Sequence, residues 1–351
     1  MNSPFTCETI YKILNDYPLC VIDVGAAGGI DPRWTYFGNS KCLRFFGFEP
    51  NPDNYDKLIN NSITKYFKLA IADRRGCKEF YARSTVGSLS RRYDREALHG
   101  EKYKKIEVNV ETLEYLRETG VINSLDIVKT DTEGHDLQAL QGIGRYLSEE
   151  TLCTASEFLF YCNTKLSNFS KIDDLMTSNG FLLFGLQTKL GSCGELKGGD
   201  VMYIRSVANL LSGSGSNEVK KIRLLKLIAI CCFIRNPFYA YIIARAGEEY
   251  GLLAKAEMYE LNKFIHKKIF ILPLLPKLWL GEKMVHILFI ITQILSGRVW
   301  GKNSIPKINR FVQYEPLFVR RKLIPNKFIN SYDKILEKRY KTYKTLNHIW
   351  Y

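Results

Sequence analysis

The sequence predicts an α/β protein: a doubly wound, mainly parallel sheet followed by a basic, mostly helical C-terminal region. Three observations support this prediction. Short apolar runs alternate with helical patterns over the first 205 residues, which is typical of a parallel sheet covered by helices. The first apolar run ends in a cluster of glycines, and the balance of charged residues changes abruptly after residue 205.

Seven apolar runs predict the strands of the first domain. They are Leu19–Val24, Leu43–Phe48, Tyr66–Ala72, Leu125–Thr130, Cys153–Phe160, Phe181–Leu186 and Val201–Arg205. Helical patterns between them include Asp53–Asn60 and Asp136–Leu147. A glycine-rich stretch joins the last two runs, so we expect a seven-stranded sheet with an antiparallel edge strand.

Composition limits the class of protein. The 351 residues are 46% hydrophobic and 25% charged, so disorder, collagen and a small disulfide-stapled fold are excluded. The nine cysteines are scattered and lack the paired spacing of zinc sites, which is typical of reduced thiols in the cytoplasm. Residues 1–16 contain no basic stretch followed by an apolar run, so we expect no signal peptide and a cytoplasmic location.

The net charge of +14 is concentrated in the second part of the chain. Residues 1–205 contain 25 Lys and Arg against 27 Asp and Glu, whereas residues 206–351 contain 25 against 9. A Gly/Ser-rich stretch near residue 213 is typical of a flexible linker. We therefore expect a domain over 1–205, a linker over 206–218 and a basic helical domain over 219–351.

The turn after the first strand, Asp23-Val-Gly25-Ala-Ala-Gly28-Gly29, distinguishes between kinds of nucleotide site. A dinucleotide fingerprint counted from Gly25 requires glycines at 27 and 30, where Ala and Ile stand, and no P-loop Gly-Lys-Ser/Thr follows. An acid two residues before the first glycine suits S-adenosylmethionine, whose ammonium group it can meet. The alternative is a tight strand–helix turn with a buried Asp23.

Glu49 ends the second strand, 24 residues after Gly25. An acid at this place hydrogen-bonds ribose hydroxyls in nucleotide-binding sheets. The alternative is an exposed Glu before a helix start. If Glu49 binds the ribose, we also expect neighbouring residues of the two turns in the cofactor site: Ala26, Gly28, Pro50 and Asn51.

The densest polar motif of the first domain, residues 126–136, follows the fourth strand. Lys129 and Asp131 would share one face of that strand, and Gly134 would allow the chain to turn into the next helix. Asp136 in the first turn of that helix suits the positive end of the helix dipole. The alternative is that Asp136 only caps the helix and has no role in the site.

These motifs and the closing segment 180–205 resemble the FkbM-type S-adenosylmethionine-dependent methyltransferases. The most family-specific stretch is Asp-x-Glu-Gly-His-Asp at 131–136. The resemblance covers about residues 15–205, and the basic C-terminal region resembles no family. It implies a class I, Rossmann-like methyltransferase sheet and O-methylation, commonly of sugars or polyketide-type molecules. It also implies that Asp23, Gly25 and Glu49 hold the cofactor and that Asp73 lies near its adenine.

Methyl transfer to an alcohol requires a base or a metal, because a neutral hydroxyl is a poor nucleophile. His135 is one candidate base, and Asp131, at the end of the strand, is the other. Alternatively, a cluster of Asp131, Glu133 and Glu157 would hold Mg²⁺ or another divalent ion through oxygen ligands. The sequence does not choose between these mechanisms.

The expected acceptor is a carbohydrate or glycan, lipid-linked or part of a cell-surface polysaccharide. Residues 91–105 form a basic stretch that would bind an anionic acceptor or be a solvated loop. A non-catalytic scaffold, which binds the cofactor and recruits partners through the basic C-terminal domain, is the alternative function.

The basic and aromatic residues of 219–351 predict that this region contacts the anionic inner face of the membrane. The alternatives are packing on the catalytic domain and homo-oligomer formation. The longest uncharged run, residues 284–297, is shorter than the roughly 20 residues of a membrane span. Nucleic-acid binding is not expected, because no recognisable module accompanies the charge.

Overall fold

The computed structural model describes residues 7–31, 34, 41–83, 86–89, 103–160, 167–190, 194–234 and 236–268. By its internal contacts the chain divides into Met1–His266 and Lys267–Tyr351. Most of the basic stretch at 91–105 lies outside the described residues, as does the C-terminal region from residue 269, so the predictions made for these segments stay predictions.

The described residues form eleven strands and ten helices. The strands are β1 (Leu19–Val24), β2 (Leu43–Phe48), β3 (Thr64–Phe67), β4 (Ala70–Ile71), β5 (Gly76–Arg83), β6 (Val86–Ser88), β7 (Lys104–Glu111), β8 (Ile127–Thr130), β9 (Cys153–Leu159), β10 (Phe181–Leu190) and β11 (Leu196–Arg205). The helices are α1 (Glu8–Asp16), α2 (Pro52–Tyr55), α3 (Leu113–Glu118), α4 (Asp136–Gln141), α5 (Tyr146–Glu149), α6 (Phe169–Ser178), α7 (Val207–Ser212), α8 (Asn217–Phe233), α9 (Pro237–Glu249) and α10 (Lys255–Lys268).

The predicted seven-stranded sheet is confirmed, with the strand order β10-β11-β9-β8-β1-β2-β3. The strands from β9 to β3 pair in parallel, and β11 runs antiparallel to both β9 and β10. The order places β11 inside the sheet and leaves its antiparallel partner β10 at the edge. Because β1, β2, β8 and β9 are parallel, their carboxyl ends meet at one edge, where such sheets bind ligands.

Burial explains why the sequence marks these strands so clearly. Every residue of β1 and of β8 is buried, because helices cover both faces of a parallel sheet and leave no solvated side. Such strands appear in the sequence as continuous apolar runs rather than as alternating ones.

A second, four-stranded sheet with the order β4-β7-β5-β6 was not predicted from the sequence. The expected third strand, Tyr66–Ala72, is divided between the two sheets: β3 belongs to the large sheet and β4 to the small one. The small sheet has its own buried core, made of Ala70, Ala72, Phe80, Ala82, Val108 and Val110. Its strands carry exposed charges between their apolar residues, which hides them from a search for apolar runs.

Helices α7 to α9 and most of α10 belong to the same compact unit as the first 205 residues; the division into domains expected around 206–218 stays a prediction. Lys226 of α8 lies 2.8 Å from the carboxylate of Asp126 and donates to the carbonyl of Pro18 at 3.1 Å. The hydroxyl of Tyr239 in α9 donates a hydrogen bond to the carbonyl of Arg205 at 3.3 Å. Nine consecutive residues of α8, Leu224–Cys232, are buried, which explains why the division falls after His266.

None of the helices in the described part of the chain combines the length and apolarity needed to cross a bilayer.

Candidate functional site

A cavity of about 250 Å³ lies at the carboxyl edge of the large sheet. Its wall combines the ends of β1, β2 and β8 with residues of the second sheet. Six residues predicted from the sequence line it: Gly25, Glu49, Pro50, Asp131, Glu133 and His135. The other predicted residues do not line it: Asp23, Ala26, Gly28, Asn51, Asp73 and Glu157.

The glycine turn after β1 is locked to both neighbouring strands. Gly25 has a φ of 88°, and an ideal Cβ on it would overlap the carbonyl oxygen of Asp131, so a side chain does not fit. The N–H groups of Gly25 and Ala26 donate to the carbonyl of Phe48 at 3.0 and 3.1 Å. The N–H of Asp131 donates to the carbonyl of Val24 at 2.9 Å. The ends of β1, β2 and β8 are therefore held together by backbone contacts.

Tyr66 supports the same turn from β3 and was missed in the sequence analysis. Its hydroxyl accepts a hydrogen bond from the N–H of Ile30 at 3.1 Å. Its ring occupies the space that a Cβ on Gly47 would fill. A glycine inside the apolar strand β2 marks a close approach of this kind, so Gly47 was the available signal.

Asp23 lies beneath the turn, fully buried. Its carboxylate is 2.9 Å from Lys129 Nζ and accepts a hydrogen bond from the N–H of Asp31 at 2.7 Å. A buried carboxylate needs such partners, and these two hold the turn in shape from below. A direct contact between Asp23 and the cofactor stays a prediction.

Glu49 is buried at the end of β2 and lines the cavity. The N–H of Asn51 donates to Glu49 Oε1 at 2.8 Å, which fixes the orientation of the carboxylate. Burial raises the pKa of Glu49 to about 7. Asn51 accepts a hydrogen bond from the N–H of Asp53 and so caps α2. The acid is therefore held in place and titrates near neutral pH.

Asp131 is the exposed acid of the site. Its side chain keeps 52% of its accessible surface, and Lys129 Nζ lies 3.7 Å from its carboxylate. Burial lowers the pKa of Lys129, but the negative charges of Asp23 and Asp131 outweigh this and leave it above the ordinary value. A positive charge therefore lies beside the Asp131 carboxylate. This agrees with the prediction that Lys129 and Asp131 share one face of the strand.

The loop after Asp131 is held by Asp136, whose buried carboxylate accepts hydrogen bonds from the N–H groups of Thr132 at 3.1 Å and Gly134 at 3.3 Å. Burial raises the pKa of Asp136 to about 7. Glu133 adopts the left-handed region at a φ of 55°, which is uncommon for a residue with a side chain. The carboxylate of Asp136 thus does more than cap α4: it folds the turn that carries Glu133 to the cavity.

His135 lines the cavity at the start of α4. Burial, and then the positive charge of Lys78, lower its pKa to about 4. Its imidazole is therefore neutral at pH 7 and a weaker base than an exposed histidine.

The carboxylates proposed for a divalent ion do not come together. Glu157 of β9 is paired with Lys189 at 2.8 Å, and the described residues contain no group of three His, Cys, Asp or Glu side chains that could hold a metal. Asp73 lies 3.6 Å from Arg74 Nε and 3.9 Å from Lys78 Nζ. It is the neighbouring Ala70 and Ile71 that line the cavity.

Comparison with solved structures gives distant matches. A methyltransferase FkbM from Methylobacillus flagellatus is 15% identical, with a TM-score of 0.33, and the match covers 53% of this chain and 43% of that one. An O-methyltransferase from Bacillus cereus in complex with SAH is 13% identical, with a TM-score of 0.29, over 56% of this chain and 79% of that one. This chain thus spans less than half of the first structure.

No curated protein matches the chain. The family model of the methyltransferase FkbM domain matches residues 23–183, a range that contains the glycine turn, Glu49 and the loop 131–136. Over residues 23–183 this chain is therefore similar to methyltransferase FkbM domains.

Proposed function

We propose that this protein is an S-adenosylmethionine-dependent O-methyltransferase that methylates a hydroxyl of a carbohydrate or glycan. The observation that carries the proposal is the place of Glu49. Its buried carboxylate lines the same cavity as Gly25 and Asp131. A carboxylate one strand away from a glycine turn is the arrangement that binds the ribose of a nucleotide cofactor.

The residues of the cavity fit this cofactor. Gly25 lines the cavity and carries no side chain, so a ligand can approach the backbone closely at the turn. Glu49 would accept hydrogen bonds from the two ribose hydroxyls, and Asp131 would face the amino-acid part. When bound, S-adenosylmethionine supplies an electrophilic methyl group on a sulfonium.

Asp131 is the residue we assign to proton transfer. Its carboxylate is exposed at the end of β8, beside the turn that holds the cofactor. With the cofactor bound, Asp131 would accept the proton of the acceptor hydroxyl. Alignment of the acceptor supplies a large part of the rate enhancement, and a positioned base typically adds ~10²–10⁴-fold.

The carbohydrate acceptor is proposed from the resemblance to FkbM-type enzymes. A scaffold that binds the cofactor without using it would share the cavity but transfer no methyl group. Release of the demethylated cofactor in the presence of candidate glycans distinguishes the two functions.

Glu49→Gln is expected to weaken binding of S-adenosylhomocysteine about 10–100-fold. The amide keeps the size of the side chain but removes the charge that strengthens hydrogen bonds from the ribose hydroxyls. Isothermal titration calorimetry on the full chain measures the effect. The control is Glu79→Gln, an exposed glutamate paired with Lys105 on β5 and β7. The proposal fails if the wild type does not bind, or if both variants bind equally well.

Affinity for S-adenosylhomocysteine is also expected to fall as the pH is lowered through 7. Because burial raises the pKa of Glu49 to about 7, the free protein gains a proton there that must leave before the ribose hydroxyls can donate to the carboxylate. Well below pH 7 the affinity should fall by about tenfold per pH unit. Titrations on both sides of pH 7 measure this slope.

The experiment must distinguish Glu49 from Asp136, because the pKa of Asp136 is also raised to about 7. Glu49→Gln retains Asp136 and should lose most of the pH dependence. A Glu49→Gln protein that keeps the full slope would assign the titration to Asp136 and contradict the role of Glu49.

A further inference from the structure

We propose that Arg223 of α8 binds a phosphate-type anion, either inorganic phosphate or a phosphate monoester, at the edge of the large sheet opposite the cavity. This second binding site would lie between α8 and the segment that leads from α5 into β9. It does not depend on the proposed function, because it concerns another edge of the sheet and another ligand.

Arg223 carries two buried donors that the rest of the described chain does not satisfy. Its Nε and Nη2 atoms are both buried, and no described residue accepts a hydrogen bond from either of them. Buried polar groups are nearly always hydrogen-bonded, so an unsatisfied pair indicates a partner from outside the chain. These two nitrogens form the edge of the guanidinium whose parallel N–H bonds match two oxygens of a carboxylate or phosphate.

Arg205, at the end of β11, adds a second positive charge. Its side chain is fully buried, and each of its nitrogens donates to a neutral oxygen. The acceptors are the carbonyls of Thr151, Leu147 and Asn179 and the side-chain oxygen of Asn209, the last at 3.0 Å. These bonds use the donors of Arg205 but do not neutralise its charge. Arg205 can therefore attract an anion without binding it directly.

Strand register places both arginines away from the cavity. β11 runs antiparallel to β9, with Ile204 opposite Cys153, the first residue of β9. Arg205 and its acceptor Thr151 therefore lie where the parallel strands begin, whereas the cavity lies where they end. Arg223 keeps part of its exposure, so an anion can reach it from solvent.

The two guanidinium groups lie close enough to repel each other. Burial, and then the positive charge of Arg223, lower the pKa of Arg205 to about 9. Both arginines nevertheless stay charged at pH 7, and repulsion between like charges is strong where water is excluded. A phosphate monoester carries a charge of about −1.5 to −2 at pH 7. It can offset both positive charges, which favours it over a singly charged carboxylate.

Three carboxylates also act on Arg223. Burial lowers its pKa, and the negative charges of Asp126, Glu150 and Glu149 oppose this effect. Asp126 is already paired with the buried lysine of the same helix at 2.8 Å, and Glu150 with Arg117 at 2.7 Å. Glu149 is exposed, so it is the protein group that competes with an anion for Arg223, and the experiment must separate the two.

Thermal unfolding of the full chain is compared in inorganic phosphate and in chloride at the same ionic strength. A ligand that binds only the folded protein raises the unfolding temperature, so phosphate should raise it and chloride should not. Arg223→Gln should weaken phosphate at least about tenfold in a calorimetric titration, because two charged hydrogen bonds are lost. In chloride this variant should be at least as stable as the wild type, because it removes an unpaired buried charge.

Arg223→Lys keeps the charge but lacks the fork of two donors, so it should also lose most of the phosphate effect. The matched control is Arg75→Gln, whose guanidinium pairs with Glu111 at 2.7 Å and which should retain the full effect. Glycerol 3-phosphate distinguishes the two sources of the anion. Tighter binding than inorganic phosphate identifies an ester as the ligand, and weaker binding identifies the free ion.

The site at Arg223 is refuted if the wild type unfolds at the same temperature in phosphate and in chloride, or if Arg223→Gln keeps the phosphate effect. It is also refuted if Arg223→Gln and Glu149→Gln lower the stability in chloride by similar amounts, because Glu149 would then be the partner of Arg223. None of these results depends on S-adenosylhomocysteine, so they leave the test of the proposed function separate.

Discussion

Replacement of Asp131 by Asn is expected to lower kcat about 10²–10⁴-fold while the protein still binds S-adenosylhomocysteine. The amide has nearly the same shape, so the backbone contact between Asp131 and Gly25 is kept, but it cannot accept the hydroxyl proton. Turnover with the best glycan acceptor, measured by release of the demethylated cofactor, gives the size of the loss.

His135→Ala is the matched comparison. His135 lines the cavity, but its pKa is lowered to about 4, so its loss should lower kcat much less than the loss of Asp131. Both variants are assayed with and without EDTA. Near-wild-type turnover of Asp131→Asn would contradict the assignment, and so would loss of wild-type activity on chelation, which would favour a metal instead of a base.

Lys226→Met is expected to lower the free energy of unfolding by about 3–5 kcal/mol, because it leaves the buried carboxylate of Asp126 without its positive partner. Asp126 and Lys226 are 3% and 5% exposed, and they join the large sheet to α8. The N–H of Cys20 also donates to Asp126, at 2.9 Å, so the unpaired charge would weaken the start of β1. Urea unfolding of the full chain measures the loss.

The control for Lys226→Met is Lys221→Met on the same helix. Lys221 pairs with Glu257 at 2.7 Å, but both side chains keep part of their exposure, and such pairs contribute about 1 kcal/mol or less. Equal losses in the two variants would show that the Lys226–Asp126 pair is no stronger than one near the surface. Lys226→Met combined with Asp126→Asn should recover part of the stability if the unpaired charge is the cause.

The large sheet could be predicted because its strands are buried on both faces and therefore stand out as apolar runs. The turn at Gly25 and the acid at Glu49 could be predicted for a related reason. Both follow directly from the end of a strand, so local order along the chain is enough to place them at one edge.

The features that the sequence did not reveal depend on contacts between distant residues. The role of Gly47 depends on the ring of Tyr66, and Asp23 pairs with Lys129 beneath the glycine turn. The position of α8 depends on Asp126, 100 residues before Lys226. Charge counting along the chain cannot reveal this contact, because it adds the buried Lys226 to the other lysines of the C-terminal region.

The close approach of Gly25 to the backbone of Asp131, which leaves no room for a Cβ, affects how this protein can be re-engineered. The segments after β1 and β8 belong to different parts of the chain but fit each other without a gap. If only one of the two segments is replaced by the corresponding segment of another protein, the new backbone comes from a structure in which it packed against a different neighbour. Chimeras designed to alter the acceptor should therefore exchange the two loops as a pair.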